Sequence, residues 1–195
     1  MTKLPEVRKA AAYYLTEPAV RLLARASISP STITWFGFLL AVGAAALIAT
    51  GHLLAAGLVV LTSGFFDILD GALARRTNQV TRFGAVLDST LDRLSEAVLL
   101  LGILVLYIGD QSFVPILLVC LALLGSLLVS YIRARAEALG LECQVGFFTR
   151  AERVVVLALG LLLNQIVIAL AIIVVFSFFT VGHRLIYVWQ QTKKG

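Results

Sequence analysis

The sequence predicts an all-α integral membrane protein: six transmembrane helices preceded by an N-terminal interfacial amphipathic helix. Three observations lead there. The 195 residues are 60% hydrophobic and 14% charged, with a mean hydropathy of +0.98, whereas a soluble domain is about 45–50% apolar and about 25% charged. Apolar stretches recur along the chain at the length a span requires, about 20 residues. The sixteen Lys and Arg residues collect in alternate connections between those stretches. No internal repeat and no low-complexity segment divides the chain, so residues 1–195 read as a single membrane domain.

The elements follow in order. Leu4, Val7, Ala11, Tyr14 and Leu15 fall at helical spacing with Lys3, Arg8 and Lys9 off that stripe, which describes a helix lying in the membrane interface within segment 3–27. The basic-then-apolar order and cleavage site of a secretory signal are missing there. Spans are predicted at about 32–50, 53–75, 83–108, 113–135, 151–164 and 166–189. Asn164 and Gln165 alone separate the last two, so a continuous buried hairpin is the alternative reading there.

The cations orient the bundle. They lie at the N-terminus (Lys3, Arg8, Lys9, Arg21, Arg25), around the second connection (Arg75, Arg76, Arg82, Arg93) and the fourth (Arg133, Arg135, Arg150, Arg153), and in the last segment (Arg184, Lys193, Lys194). The intervening connections, Gly51-His52, Gly109-Asp110-Gln111 and Asn164-Gln165, contain none. The positive-inside rule then places both termini on the cytoplasmic side of the cell membrane. A net charge of +5 distributed this way serves topology and does not imply nucleic acid. Cys120 and Cys143 form neither a disulfide framework nor a metal-ligand spacing.

Four aspartates carry the chemistry. Asp67 and Asp70 are i and i+3 on the second helix, Asp88 and Asp92 i and i+4 on the third, so each pair faces one way. At about 1.5 Å per residue, Asp67 and Asp70 lie roughly 21 and 26 Å from the outer end, Asp92 and Asp88 about 24 and 30 Å. All four share one level, toward the cytoplasmic face. One carboxylate near hydrocarbon costs about 2.5–3.5 kcal/mol, so four together call for a divalent cation. Hard oxygen donors without His or Cys suit Mg²⁺ or Mn²⁺, two ions being common in such sites, and argue against zinc. Gly71 and Gly84 leave bare backbone beside the acids, and Arg75, Thr81 and Arg82 stand over the same pocket. This combination points to a diphosphate substrate.

Asp67-x-x-Asp70-Gly71-x-x-Ala74-Arg75, eight residues, then Gly84-x-x-x-Asp88-x-x-x-Asp92 resembles the signature of the CDP-alcohol phosphatidyltransferases, without departure from its pattern. The resemblance implies that family's six-helix fold over essentially the whole chain, usually as a homodimer. It implies transfer of a phosphatidyl group from CDP-diacylglycerol to an alcohol with release of CMP. It assigns Asp67, Asp70, Asp88 and Asp92 to two metal ions and makes Asp92 the general base. Gly71, Arg75 and Thr81 would contact the CDP part, and Ser31, Thr32, Ile33 and Thr34 would close over the nucleotide. As bare sequence, Pro30-Ser31-Thr32 is equally a helix start.

A second stretch bears on the acceptor. Ser130-Tyr131-Ile132-Arg133-Ala134-Arg135-Ala136-Glu137 and the basic positions 150, 153 and 184 would surround the cytoplasmic mouth. An acceptor carrying its own phosphate needs such a cluster, although positive-inside bias alone also puts cations here. The stretch is similar to that of the bacterial phosphatidylinositol phosphate synthases, with Arg133 where those enzymes typically carry Lys. The resemblance implies 1D-myo-inositol 3-phosphate as acceptor, held by Ser130, Arg133, Arg150 and Arg184, with Arg135 and Glu137 pairing structurally with their neighbours. Glycerol 3-phosphate, giving phosphatidylglycerol phosphate, is the alternative the arginines cannot separate. A cation transporter is disfavoured because the acids lie toward one face and no inverted repeat is present.

Overall fold

The computed structural model describes residues 17–24, 28–109, 111–143 and 145–193. Residues 17–24 are helical (α1). Six helices follow: α2 Pro30–Ala49, α3 Leu53–Arg76, α4 Arg82–Gly109, α5 Phe113–Ala138, α6 Arg150–Leu162 and α7 Ile166–Thr192. Most of the interfacial stripe expected over residues 3–27, including Leu4, Val7, Ala11, Tyr14 and Leu15, lies outside the described residues.

Local chemistry sets the helix starts. Ser29 caps α2, its hydroxyl accepting from the Thr32 amide at 3.2 Å, with Pro30 in the first turn. The Thr81 hydroxyl accepts from the Gly84 amide at 2.9 Å where α4 begins. Thr149 and Glu152 form a capping box on α6. Between α6 and α7, Asn164 takes a left-handed conformation (φ 54°). These are therefore two helices, and the continuous-hairpin alternative is not what forms.

Helices stand at all six predicted places, but among the described residues four meet the length and apolarity of a membrane span: α2, α3, α5 and α7. Two fall short for physical reasons. The N-terminal part of α4 carries Arg82, Asp88, Asp92, Arg93 and Glu96. The 13 residues of α6 extend about 20 Å, less than a hydrocarbon core of about 30 Å.

Helix α2 packs on α3 and α4, α3 on α6, α5 on α4 and α7, and α6 on α7. Ala44, Ile48, Val60, Leu100, Ile103, Val119, Leu161 and Leu170 meet in the main core. Lipid tails are as apolar as leucine, so such a bundle relies on close packing of small side chains. Gly102 shows this: a Cβ there would fall 2.6 Å from the Ala45 carbonyl oxygen, so only glycine lets α4 lie on α2. Leu39, Leu58, Val105, Leu117 and Phe179 remain exposed around the outside, as expected for helices facing acyl chains.

A smaller cluster joins Val20 of α1 to Ile33, Leu69 and Leu73. Glu17 reinforces it, pairing with Arg76 at 2.5 Å and Arg21 at 2.8 Å. Those guanidiniums, Arg76 foremost, hold the Glu17 carboxyl below its ordinary range. The start of α2 and the end of α3 are thereby tied together beside the polar site.

Candidate active site

The structure divides the four aspartates across their sequence pairs. Asp70 is only 3% exposed, and its Oδ2 is buried without a hydrogen-bond partner. Asp67 and Asp92 share one cation, Arg150. Its Nη2 lies 2.7 Å from Asp67 Oδ2 and its Nη1 2.8 Å from Asp92 Oδ1, while Nε donates to the Asp92 backbone oxygen at 3.1 Å. The capping box of α6 sets Arg150 as the first residue of that helix, pointing at the gap between α3 and α4. Gly37 of α2 makes room on the far side, since a Cβ there would stand 3.0 Å from Asp67 Oδ1.

A cavity of about 610 Å³ opens beside the acids between α2, α3 and α4, within the usual range for small-molecule sites. Asp70 and Asp88 line it, together with Ser31, Thr34, Gly71, Arg75 and Thr81. Five of the seven residues expected at the CDP part are thus on one wall. Thr32 and Ile33 are not. The Thr32 hydroxyl lies 2.8 Å from that of Ser29, and Ile33 is buried with Leu69 and Leu73. Thr81 is already engaged as the α4 cap, and a Cβ on Gly84 would come within 2.9 Å of its Oγ1. Gly84 therefore protects the cap as well as the cavity. Sequence reasoning missed Gln79, on the same wall; it follows a left-handed Asn78 (φ 53°).

The arginines expected at the acceptor phosphate are each engaged by other protein groups. Arg150 is drawn to Asp67 and Asp92, as described. Arg184, 3% exposed, donates to the Val145 carbonyl at 2.8 Å and to the Val129 carbonyl. Arg133 is exposed and pairs with Glu137 at 2.8 Å, so Glu137 has its partner one turn away on α5. Ser130 is half-buried on the same helix.

Sequence reasoning also missed a second polar cluster one turn deeper. Glu96 accepts from Arg153 Nε at 2.5 Å and Nη2 at 2.8 Å, and from the Ser126 hydroxyl at 2.7 Å. Glu96, Arg153 and Ser126 are 7%, 1% and 5% exposed. A signal was available: Glu96 continues the i+4 series from Asp88 and Asp92 into apolar sequence.

The donor set fits a hard divalent cation in kind. Four carboxylates flank the cavity and the gap beside it, one of them with a buried oxygen that no protein group satisfies. Among the described residues no three His, Cys, Asp or Glu side chains are already gathered as a cage; Arg150 neutralises two of the acids instead.

Residues 27–182 match the CDP-alcohol phosphatidyltransferase family. The chain is 42% identical to an archaetidylinositol phosphate synthase of Methanothermobacter thermautotrophicus over 87% of each chain. It is 41% identical to the phosphatidylinositol phosphate synthase of Mycobacterium bovis, over 82% of this chain and 75% of that one. Among solved structures it superposes on the Mycobacterium tuberculosis phosphatidylinositol phosphate synthase with CDP-DAG bound. There the TM-score is 0.82 at 34% identity, covering 90% of this chain and 94% of the other. The same enzyme in complex with manganese and citrate gives a TM-score of 0.82 at 34% identity, over 89% and 88%.

Proposed function

This chain belongs to the CDP-alcohol phosphatidyltransferase family, and from that premise we propose that it transfers the phosphatidyl group of CDP-diacylglycerol to 1D-myo-inositol 3-phosphate. The products are phosphatidylinositol phosphate and CMP. The observation that carries this reading is the cavity of about 610 Å³ with Asp70 and Asp88 on its wall beside Gly71 and Arg75. The orphaned Asp70 Oδ2 is buried.

Asp67, Asp70, Asp88 and Asp92 would hold the divalent cation, as a pair of Mg²⁺ ions with Mn²⁺ as a substitute. When bound, it supplies positive charge against the diphosphate and the CMP that departs. The chain's own residues do the rest. Arg75 reaches the phosphates of the donor from the end of α3, and Gly71 and Gly84 keep backbone open to the nucleotide. Asp92 takes the proton of the acceptor hydroxyl as its oxygen attacks the phosphorus next to diacylglycerol. The bond from that phosphorus to CMP breaks, and CMP leaves with its electron pair. An aspartate is a weak base for an alcohol, so the proton moves late. Arg150 stands beside Asp92 with a guanidinium suited to a phosphate fork. With Ser130, Arg133 and Arg184 it would hold the acceptor phosphate.

The similar synthases share inositol phosphate in their names and differ in the lipid, archaetidyl in one and phosphatidyl in the other. The acceptor is therefore the better supported half. We place the chain in the cytoplasmic membrane as six spans with both termini and the site on the cytoplasmic side, with the charged start of α4 and the short α6 packed against their neighbours. We also propose a homodimer.

The test is CMP release from purified protein with Mg²⁺ and CDP-diacylglycerol. Inositol 3-phosphate is expected to stimulate it, free inositol is not. Release only with glycerol 3-phosphate would replace the acceptor and keep the chemistry, and no release with any phosphorylated alcohol would refute the reading.

A further inference from the structure

Helices α4 and α6 barely meet through their backbones; α6 packs on α3 and α7 instead. What joins them is two rungs of side chains. Arg150 and Arg153 are one turn apart on α6, Asp92 and Glu96 one turn apart on α4, and each arginine reaches its own acid. The outer rung sits at the acidic site. The inner rung is closed: Glu96 spends both oxygens on Arg153 and takes a third bond from Ser126 of α5.

An ion pair at this depth is costly to form, and replacing such a pair with apolar groups is often harmless to stability. Packing alone therefore does not account for it. Its neighbours suggest what does. Arg153 Nη1 also donates to the Phe148 carbonyl at 3.5 Å, and Arg184 holds the Val145 carbonyl at 2.8 Å. Gly146 between them adopts φ +139°, where a Cβ would come within 3.0 Å of Thr180. The segment 145–149 is thus pinned from α6 and α7, and it delivers Arg150.

We propose that Glu96, Arg153 and Ser126 are positioning residues. They fix the register of α6 against α4 and so set where Arg150 stands for the phosphate of the acceptor. The inference rests on the proposed function for the identity of that acceptor. The triad lies on the α5–α6 side of Asp92, away from the cavity between α2, α3 and α4. Loosening it should therefore affect the acceptor and spare the nucleotide lipid.

The test is the double variant Glu96→Met, Arg153→Met, which removes the pair without leaving a buried charge, together with Ser126→Ala, a small change that loses one bond to Glu96. Melting temperature and separate KM values for CDP-diacylglycerol and the acceptor are measured on both. The double variant is expected to stay folded, with the acceptor KM raised about tenfold and the CDP-diacylglycerol KM within about twofold. Ser126→Ala should shift the acceptor KM the same way by about threefold. Should the double variant not fold, Ser126→Ala decides alone. An unchanged acceptor KM, or equal changes for both substrates, overturns the proposal. Wild-type CMP release tests the proposed function itself. If glycerol 3-phosphate proves to be the acceptor, the same KM ratios are read with it.

Discussion

Two carboxylate clusters lie a turn or two apart in this bundle, and they differ in one respect. At Glu96 every acidic oxygen meets a donor, the arginine opposite is 1% exposed, and nothing is left for a ligand. At Asp70 the burial is as deep, yet one oxygen has no partner, and a cavity opens against it. The same side-chain chemistry, in the same membrane setting, is architecture where it is satisfied and the proposed binding site where it is not. Charge burial alone does not separate the two; the accounting of partners does.

The comparison can be broken most sharply at the open cluster. Asp92→Asn should cost about 10³-fold in turnover, within the range general-base removal spans, while the melting temperature stays near that of the parent. A loss of folding instead would make Asp92 structural. At the closed cluster the loss should fall first on stability. Glu96→Gln leaves the Arg153 charge buried against a neutral partner, a change of the kind that costs about 3–5 kcal/mol, seen as a large drop in melting temperature.

A third variant sharpens the contrast. Asp70→Asn replaces an unsatisfied buried carboxylate with a neutral group, so the protein should melt at or above the parent temperature and yet be inactive. Added Mn²⁺ should raise the parent's melting temperature and have little effect on the variant. Arg150→Gln should raise the acceptor KM about 10- to 100-fold, the worth of hydrogen bonds to a charged group, and leave the CDP-diacylglycerol KM almost unchanged. The smallest effect belongs to Glu17→Gln. Its carboxylate is held below its ordinary range by Arg76 and Arg21. The pairing is therefore fully present above the usual carboxylate range and lost as pH falls through the lowered value. At neutral pH the variant should barely move the melting temperature, as expected for an exposed pair.

Much of the architecture was legible because apolar length and capping residues are local properties. Each of α2 to α7 stands within about three residues of its predicted place, and the four aspartates lie on α3 and α4 as their spacing requires. The break between α6 and α7 was less legible, since Asn164 and Gln165 alone separate two apolar runs and the turn depends on Asn164 adopting a left-handed backbone. Arg150 shows a different limit. Its sequence position places it at the cytoplasmic mouth among other cations, but its choice of Asp67 and Asp92 depends on how α6 docks between helices far away in the chain. The roles of Thr32 and Ile33 diverged for the same reason. Adjacent residues on a helix point in different directions, and only the packing of α1 and α3 decides which of them meets the cavity.

The most direct measurement of the central claim is anomalous scattering from crystals of this protein grown with Mn²⁺ and CDP-diacylglycerol. Peaks bracketed by Asp67, Asp70, Asp88 and Asp92, with the diphosphate beside them in the cavity, are the predicted result. Manganese density elsewhere, or a nucleotide lipid bound away from those carboxylates, would contradict the account.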